Sequence, residues 1–273
     1  MEQKRFAERH GFSPEAPEIN IVDDAPNKVR DAILMIAEGE LNLSPSTIRG
    51  VLCTVLRTLP DGSNWSEYPN VWGECQGLMA NAPWYRVYDF IEALYRTLVT
   101  SRQYGQAKRW TELIDEYFVE AGVGWRFVDG ALERREGDAF VTAVDQARGA
   151  LDQSGQKTAH DELSEALKDL SRRPTPDLTG AIQHSVAALE CTAREATGNP
   201  KATLGDILKR YADIVPAPLN TGLEKMWGYS SEFARHLREG RSTSEREVAL
   251  VVMVSAAVCN YLAGLKPKDR ETS

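Results

Sequence analysis

Apolar residues recur at three- and four-residue spacing along most of this chain, which is the pattern of amphipathic α-helices. Ser44-Pro45 combines an N-cap residue with a first-turn proline, and an apolar stripe over residues 47–59 follows it. Pro83 begins another striped segment in the same way. The first half is therefore predicted to contain a short strand at residues 19–22 and helices near residues 24–36, 47–59, 83–98 and 106–119.

The period changes from helical to alternating at Gly124-Trp-Arg-Phe-Val-Asp-Gly130. Its Asp129-Gly130 pair is favoured in two-residue β-hairpin turns, because both turn positions need a positive φ. The helical period resumes after Gly137, and Ser244 with Glu247 makes the sequence of a capping box. The predicted helices of the second half are residues 139–152, 158–171, 177–197, 203–214, 218–238 and 244–264.

These elements predict a mainly α protein. We assign residues 1–150 to an N-terminal helical domain with a small β-hairpin and residues 151–273 to a C-terminal helical bundle. The length of 273 residues fits one or two domains, and the boundary is expected after the hairpin, near residues 138–155.

The formal net charge is −8, and it is concentrated in the first half of the chain. Residues 1–148 contain 16 Lys and Arg against 23 Asp and Glu, whereas residues 149–273 contain 16 against 17. A general nucleic-acid-binding surface needs clustered positive charge to neutralise phosphates, so this balance excludes one. A local basic site remains compatible with it.

The four cysteines have neither the CxxC spacing nor the Cys/His spacing of a zinc site, and no metal or cofactor is predicted. They are interpreted as free thiols in a reducing compartment. The first residues carry no apolar signal-peptide core. Residues 248–265 approach membrane-spanning length, but Ser255 and Asn260 interrupt them and favour a buried helix. We therefore predict a cytoplasmic protein without membrane contact.

The candidate chemistry lies at Arg235-His236, between two long apolar helices. An imidazole can act as general acid and base, while the guanidinium groups of Arg235 and Arg241 can stabilise phosphate charge. Arg241 follows Gly240 in a predicted loop. The alternative is that these cations are favoured simply because a helix ends at Gly240, where the helix dipole attracts positive charge.

Glu190 is the candidate that orients the histidine or the arginines across the bundle. Its spacing to Arg194 fits an ordinary i,i+4 ion pair equally well. His184 is interpreted as a hydrogen-bonded or solvent-facing histidine rather than a catalyst.

The aromatic residues of the first half also allow two interpretations. Trp84, Tyr85 and Tyr88, with Trp65 and other tryptophans, could form a stacking pocket for a base. Aromatic residues at helical spacing are more often core, because their large apolar area dominates interior packing.

Four segments of the first half resemble the N-terminal domain of AbiJ-type abortive-infection proteins: Phe6-Ala-Glu-Arg-His-Gly-Phe12, Asp61-Gly-Ser-Asn-Trp65, Trp84-Tyr-Arg-Val-Tyr-Asp-Phe-Ile-Glu92 and Gly124-Trp-Arg-Phe-Val-Asp-Gly130. Residues 181–190, Thr203-Leu-Gly205 and Arg235-His236 resemble the HEPN-like helical domain that follows it in those proteins. The resemblance covers nearly the whole chain.

The resemblance implies a role in phage defence. HEPN domains are helical and usually dimeric, and many are metal-independent ribonucleases with an Arg four to six residues before a His. This chain departs from that signature, because Tyr229, Ser230 and Ser231 occupy the matching positions before His236. If the protein is an enzyme, the resemblance assigns His236 as acid and base, Arg235 and Arg241 to phosphate, and Glu190 to orientation.

Two main hypotheses follow. The first is a phage-defence RNA endonuclease that needs no metal. The second is a non-catalytic helical module for dimerisation and for binding a phage-derived or defence-system protein, and a nucleotide sensor using the aromatic cluster is a third. Each is expected to form a homodimer through the C-terminal domain.

Overall fold

A computed structural model describes residues 9, 17–211, 214–235 and 243–265, and for residues 231–235 it describes the backbone alone. Within these residues the prediction of a mainly α protein is confirmed: there are eleven α-helices and one two-stranded hairpin. Packing divides the chain into a first unit, Met1–Glu133, and a second unit, Arg134–Ser273. The sequence-based domain limits, 1–150 and 151–273, stay a prediction.

The elements up to residue 134 begin with five helices and end with the hairpin. Short π-helical turns occupy Ile36–Glu40 and Glu67–Val71. In chain order the regular elements are α1 (Asn27–Met35), α2 (Pro45–Leu56), α3 (Trp72–Asn81), α4 (Trp84–Thr100), α5 (Tyr104–Ala121), β1 (Trp125–Val128) and β2 (Ala131–Arg134).

Helix α2 begins where the sequence predicts and ends earlier. The Ser44 hydroxyl accepts a hydrogen bond from the Thr47 N–H (3.2 Å), as an N-cap residue does. The helix stops at Arg57, whose φ of 54° is left-handed, so the prediction of a helix to Leu59 was wrong by three residues. As a result Leu59 leaves the apolar stripe and is 90% exposed.

The predicted strand at residues 19–22 is not formed. Ile21 instead makes one isolated parallel bridge to Val123.

The hairpin prediction is confirmed, with Asp129 at φ 49° and Gly130 at φ 85° in the turn between β1 and β2. Gly130 also faces the Tyr95 ring, where an added Cβ would lie 2.8 Å from a ring carbon.

The core of the first unit is built from the inward faces of α1 to α5. Phe90, Trp110 and Phe118 are among its largest fully buried side chains, and the Trp110 indole N–H donates to the Ile91 carbonyl (3.0 Å).

The Arg30 guanidinium lies inside this unit. It donates to the carbonyl oxygens of Ala25 (2.5 Å), Met79 (2.6 Å) and Ala82 (2.7 Å), so it joins α1 to the end of α3.

After Arg134, the regular elements of the second unit are all helices among its described residues. Helix α8 packs against α7 and α11, and α11 also packs against α6. In chain order its helices are α6 (Asp138–Gln153), α7 (Lys157–Ser171), α8 (Leu178–Thr197), α9 (Leu204–Arg210), α10 (Leu219–Arg235) and α11 (Glu245–Ala263).

Helix α11 is the most apolar helix that the structure describes. Ser244 and Glu247 form the predicted capping box at its start. By length and composition alone it could cross a membrane, and 44% of its 18-residue apolar window is buried inside the protein. The core helix of a soluble protein can have the same composition, and one face of α11 packs on α6 and α8.

Candidate functional site

The predicted site residues are only partly within the described chain. His236 and Arg241 lie outside the described residues. Arg235 is the last residue of α10, and only its backbone is described. Glu190 is described in full, so its geometry is the part of the predicted site that the structure specifies.

The Glu190 carboxylate fixes the connection between α8 and α9. It accepts a hydrogen bond from the Leu204 N–H (2.9 Å), which belongs to the first turn of α9, and it forms an ion pair with Arg194 one turn further along α8. The Arg194 Nε in turn donates to the Ala202 carbonyl (2.8 Å). The i,i+4 interpretation of Glu190 and Arg194 is therefore confirmed, and the orienting role towards His236 stays a prediction.

A histidine that sequence reasoning set aside lies in a cluster of charged groups between α7 and α8. The Nδ1 of His184 donates to the Glu162 carboxylate (2.7 Å), and its Nε2 lies 3.7 Å from Oδ2 of Asp169. The imidazole therefore faces a carboxylate at each nitrogen. Glu162 and Asp169 are seven residues apart on α7, which places them on one face of that helix.

Asp169 is the buried member of this cluster. Burial raises the pKa of its carboxyl group above the usual value, while Arg172, at 3.0 Å, lowers it. The Asp169 carbonyl also accepts the Asp177 N–H (3.0 Å). A Cβ at Gly180 would lie 2.4 Å from Oδ2 of Asp169, so a larger residue there would displace that carboxylate.

The charge of this cluster determines what it can do. Glu162, Asp169 and Asp177 surround one imidazole and one guanidinium, so acidic groups predominate. Such a site repels phosphate, and its hydrogen bonds instead hold α7 against α8. Among the residues that the structure describes, no group of three or more His, Cys, Asp or Glu side chains is placed to hold a metal ion.

Several aromatic residues of the first unit form core, whereas Trp65 and Tyr85 are exposed. The Tyr88 ring lies 5.9 Å from Trp84, 6.1 Å from Phe118 and 5.9 Å from Trp125, measured between centroids, and its hydroxyl donates to the Asp24 carbonyl (2.9 Å). Burial raises the Tyr88 pKa. The core interpretation is confirmed for Tyr88, Trp110 and Trp125, which are all buried.

Helix α11 carries a surface of a different kind. Its buried face includes Val248, Val252 and Leu262, while Leu250 is 56% exposed and Tyr261 is 46% exposed on the opposite side. Between those two, Ala257 is exposed and Val254 is half-buried and packs against the core of its own unit, and the four residues repeat at spacings of four, three and four. That is the spacing of the contact seam between paired helices. We call Leu250, Val254, Ala257 and Tyr261 the α11 stripe.

The comparison with protein families identifies the class of the first half. The family model for AbiJ N-terminal domain 4 matches residues 4–149. The chain belongs to this AbiJ family, and the domain indicates a role in abortive-infection phage defence. No curated protein and no solved structure matches the chain. The HEPN-like assignment of the C-terminal helices stays a prediction.

Proposed function

We propose that this protein is a cytoplasmic abortive-infection effector that works as a homodimer assembled along the α11 stripe. The AbiJ domain supplies the defence context, and the helices of the second unit form the part that self-associates. The observation that carries the proposal is the exposure of Leu250 and Tyr261 on a helix whose other face is already in the core.

The α11 stripe is suited to a second copy of the same helix. A two-fold axis brings the same surface of both copies together, so every apolar residue of the stripe contributes twice. Fully burying a leucine side chain contributes about 1.5–3 kcal/mol, and Leu250, which is 56% exposed, would contribute part of that. Seam spacing also lets side chains of one helix fill the gaps of the other, which an irregular apolar patch does not.

A charge in the stripe provides the test. We expect Leu250→Glu to weaken self-association by about 100-fold or more, because a carboxylate enters the seam of both copies and an apolar contact is lost from both. Sedimentation velocity over a dilution series measures this change. Leu219→Glu is the matched control, since Leu219 is 66% exposed on α10 outside the stripe. The proposal would be contradicted if both variants dissociated equally, or if neither variant dissociated more than the unaltered protein.

RNA cleavage is the second candidate function. Arg235 is the last described residue of α10, and His236 follows it in the sequence, so a guanidinium and an imidazole are neighbours along the chain. A guanidinium can bind phosphate oxygens in a bidentate manner, and a histidine can transfer protons without a metal. The Glu190 carboxylate already accepts the Leu204 N–H at the start of α9. The ribonuclease candidate therefore depends on Arg235, His236 and Arg241.

The ribonuclease candidate predicts cleavage of transfer RNA by the purified protein in EDTA and its loss in His236→Ala. The His184→Ala variant is the control, because the His184 cluster is acidic and is assigned to helix packing. Gel electrophoresis of the RNA distinguishes the outcomes. Cleavage that survives His236→Ala would remove His236 from the mechanism.

A further inference from the structure

A pocket between α1 and α5 of the first unit combines an apolar lining with acidic groups. It has a volume of about 350 Å³, which is in the range that receives an apolar side chain or a small ligand. Met35, Ile36 and Leu113 contribute to its apolar lining. Among the described residues that line it, every charged one is acidic: Glu40, Glu116 and Glu120. An occupant that matches this pocket therefore carries an apolar group together with positive charge.

The backbone around the pocket strengthens its preference for a cation. Helix α5 ends at Gly122, and the carbonyl groups at the end of a helix carry partial negative charge. Glu116 and Glu120 lie near this end, and α5, all of which the structure describes, has no basic residue in its last turn. A cation bound here would relieve the repulsion between these carboxylates and the helix end. The π-helical turn at Ile36–Glu40 also lines the pocket, and such turns are frequent at functional sites.

Tyr117, which also lines the pocket, has the same negative environment. Its hydroxyl donates to the Lys28 carbonyl (3.1 Å), which joins α5 to α1. Burial raises the pKa of this hydroxyl, and the carboxylates of Asp31 and Glu120 raise it further because they disfavour another negative charge. Carboxylates therefore dominate the electrostatic potential on this side of the first unit.

The continuous part of the described chain begins beside the same end of α5. The Asn20 N–H donates to the Gly122 carbonyl (3.0 Å). A Cβ on Gly122 would lie 2.8 Å from the carbonyl oxygen of Glu18. Residues 17–20 are therefore packed on the C-cap of α5, two positions after Glu120 in the sequence. The chain that precedes Pro17 is thus attached next to the pocket.

The N-terminal segment has the chemistry that this pocket matches. Lys4 and Arg5 place two cations beside the aromatic side chain of Phe6, and residues 4–12 contain three Lys or Arg against one acidic residue. Residues 7–16 can span up to about 33 Å, whereas the pocket extends about 10 Å along α5. The segment can therefore reach every part of the pocket. It also falls within residues 4–149, which match the AbiJ domain.

We propose that this pocket binds the N-terminal segment of the same chain, with Phe6 in its apolar part and Lys4 and Arg5 at its acidic rim. Because the segment is attached beside the pocket, its effective concentration there is high. Another basic peptide would occupy the pocket only by displacing it. The proposal concerns the first unit alone and does not depend on the α11 stripe.

Disulfide trapping in the full chain tests this contact. Ala7→Cys adjoins Phe6, and Gly39→Cys adds a thiol in the pocket, where a Cβ meets no atom within 4 Å. A disulfide needs Cα atoms about 4.4–6.8 Å apart, so we expect oxidation to link these positions within one chain, at a yield independent of protein concentration. Peptide mass spectrometry identifies the linked pair.

Ala7→Cys combined with Gly77→Cys is the matched control. Gly77 is exposed on a helix and its Cβ position is equally open, but it lies on α3 and does not line this pocket. We expect the control pair to form about 10-fold less disulfide, because only a docked segment raises the local concentration of one thiol at the other.

Charge reversal tests the acidic rim. Glu116→Lys with Glu120→Lys should lower the yield of the trapped disulfide by about 10-fold, because attractive pairs become repulsive. Adding Lys4→Glu and Arg5→Glu should restore the yield, which a misfolded variant could not do. The proposal is overturned if the pocket pair and the control pair form equally, if the disulfide joins two chains, or if charge reversal leaves the yield unchanged.

Discussion

Replacing Arg30 with alanine is expected to lower the free energy of unfolding of the first unit by about 3–5 kcal/mol. The guanidinium is buried and donates to the carbonyls of Ala25, Met79 and Ala82. Alanine leaves these acceptors without their donor and creates a cavity between α1 and α3. Urea denaturation followed by circular dichroism measures the change.

Arg96→Ala is the control for this prediction. Arg96 forms an ion pair with Glu92 at 3.4 Å, but its side chain is 62% exposed. Exposed pairs of this kind contribute about 0–1 kcal/mol, so its removal should hardly change the unfolding curve. Equal destabilisation by Arg30→Ala and Arg96→Ala would show that Arg30 does not hold α3 in place.

Features set by neighbouring residues could be predicted from the sequence. The N-cap of Ser44, the capping box of Ser244 and Glu247, and the Asp129-Gly130 turn each depend on residues within three positions of one another. Their hydrogen bonds or backbone angles are therefore encoded locally, and the structure has all three.

Helix α3 was missed because its stability is not local. Its segment contains Gly73 and Gly77, which disfavour a helix, and it has little amphipathic pattern. The helix is secured from a distance by Arg30 at its end and by Arg49 on Glu74. No periodicity in the sequence indicates those contacts.

The charged cluster around His184 could not be predicted for the same reason. His184 meets Glu162 and Asp169 only because α7 and α8 pack together. The seven-residue spacing of the two acids on α7 was the available signal.

The end of α2 differs from the prediction because nothing in the sequence marks Arg57 as a left-handed residue. The predicted apolar stripe therefore included Leu59, which is exposed.

The largest effect is expected in cells. Leu250→Glu should abolish protection against a phage that the unaltered protein restricts, because the variant places a carboxylate in the proposed homodimer interface. Protection should survive in Leu219→Glu, which adds the same charge at an exposed leucine outside the α11 stripe. Immunoblotting verifies that both variants accumulate to the level of the unaltered protein.

Counting plaques on bacteria that express each form is the most direct test of a defence protein that works as a homodimer through α11. We expect Leu250→Glu to restore the plaque number of cells lacking the protein, and Leu219→Glu to keep it as low as the unaltered chain does. Full protection by Leu250→Glu, at equal abundance, would contradict it.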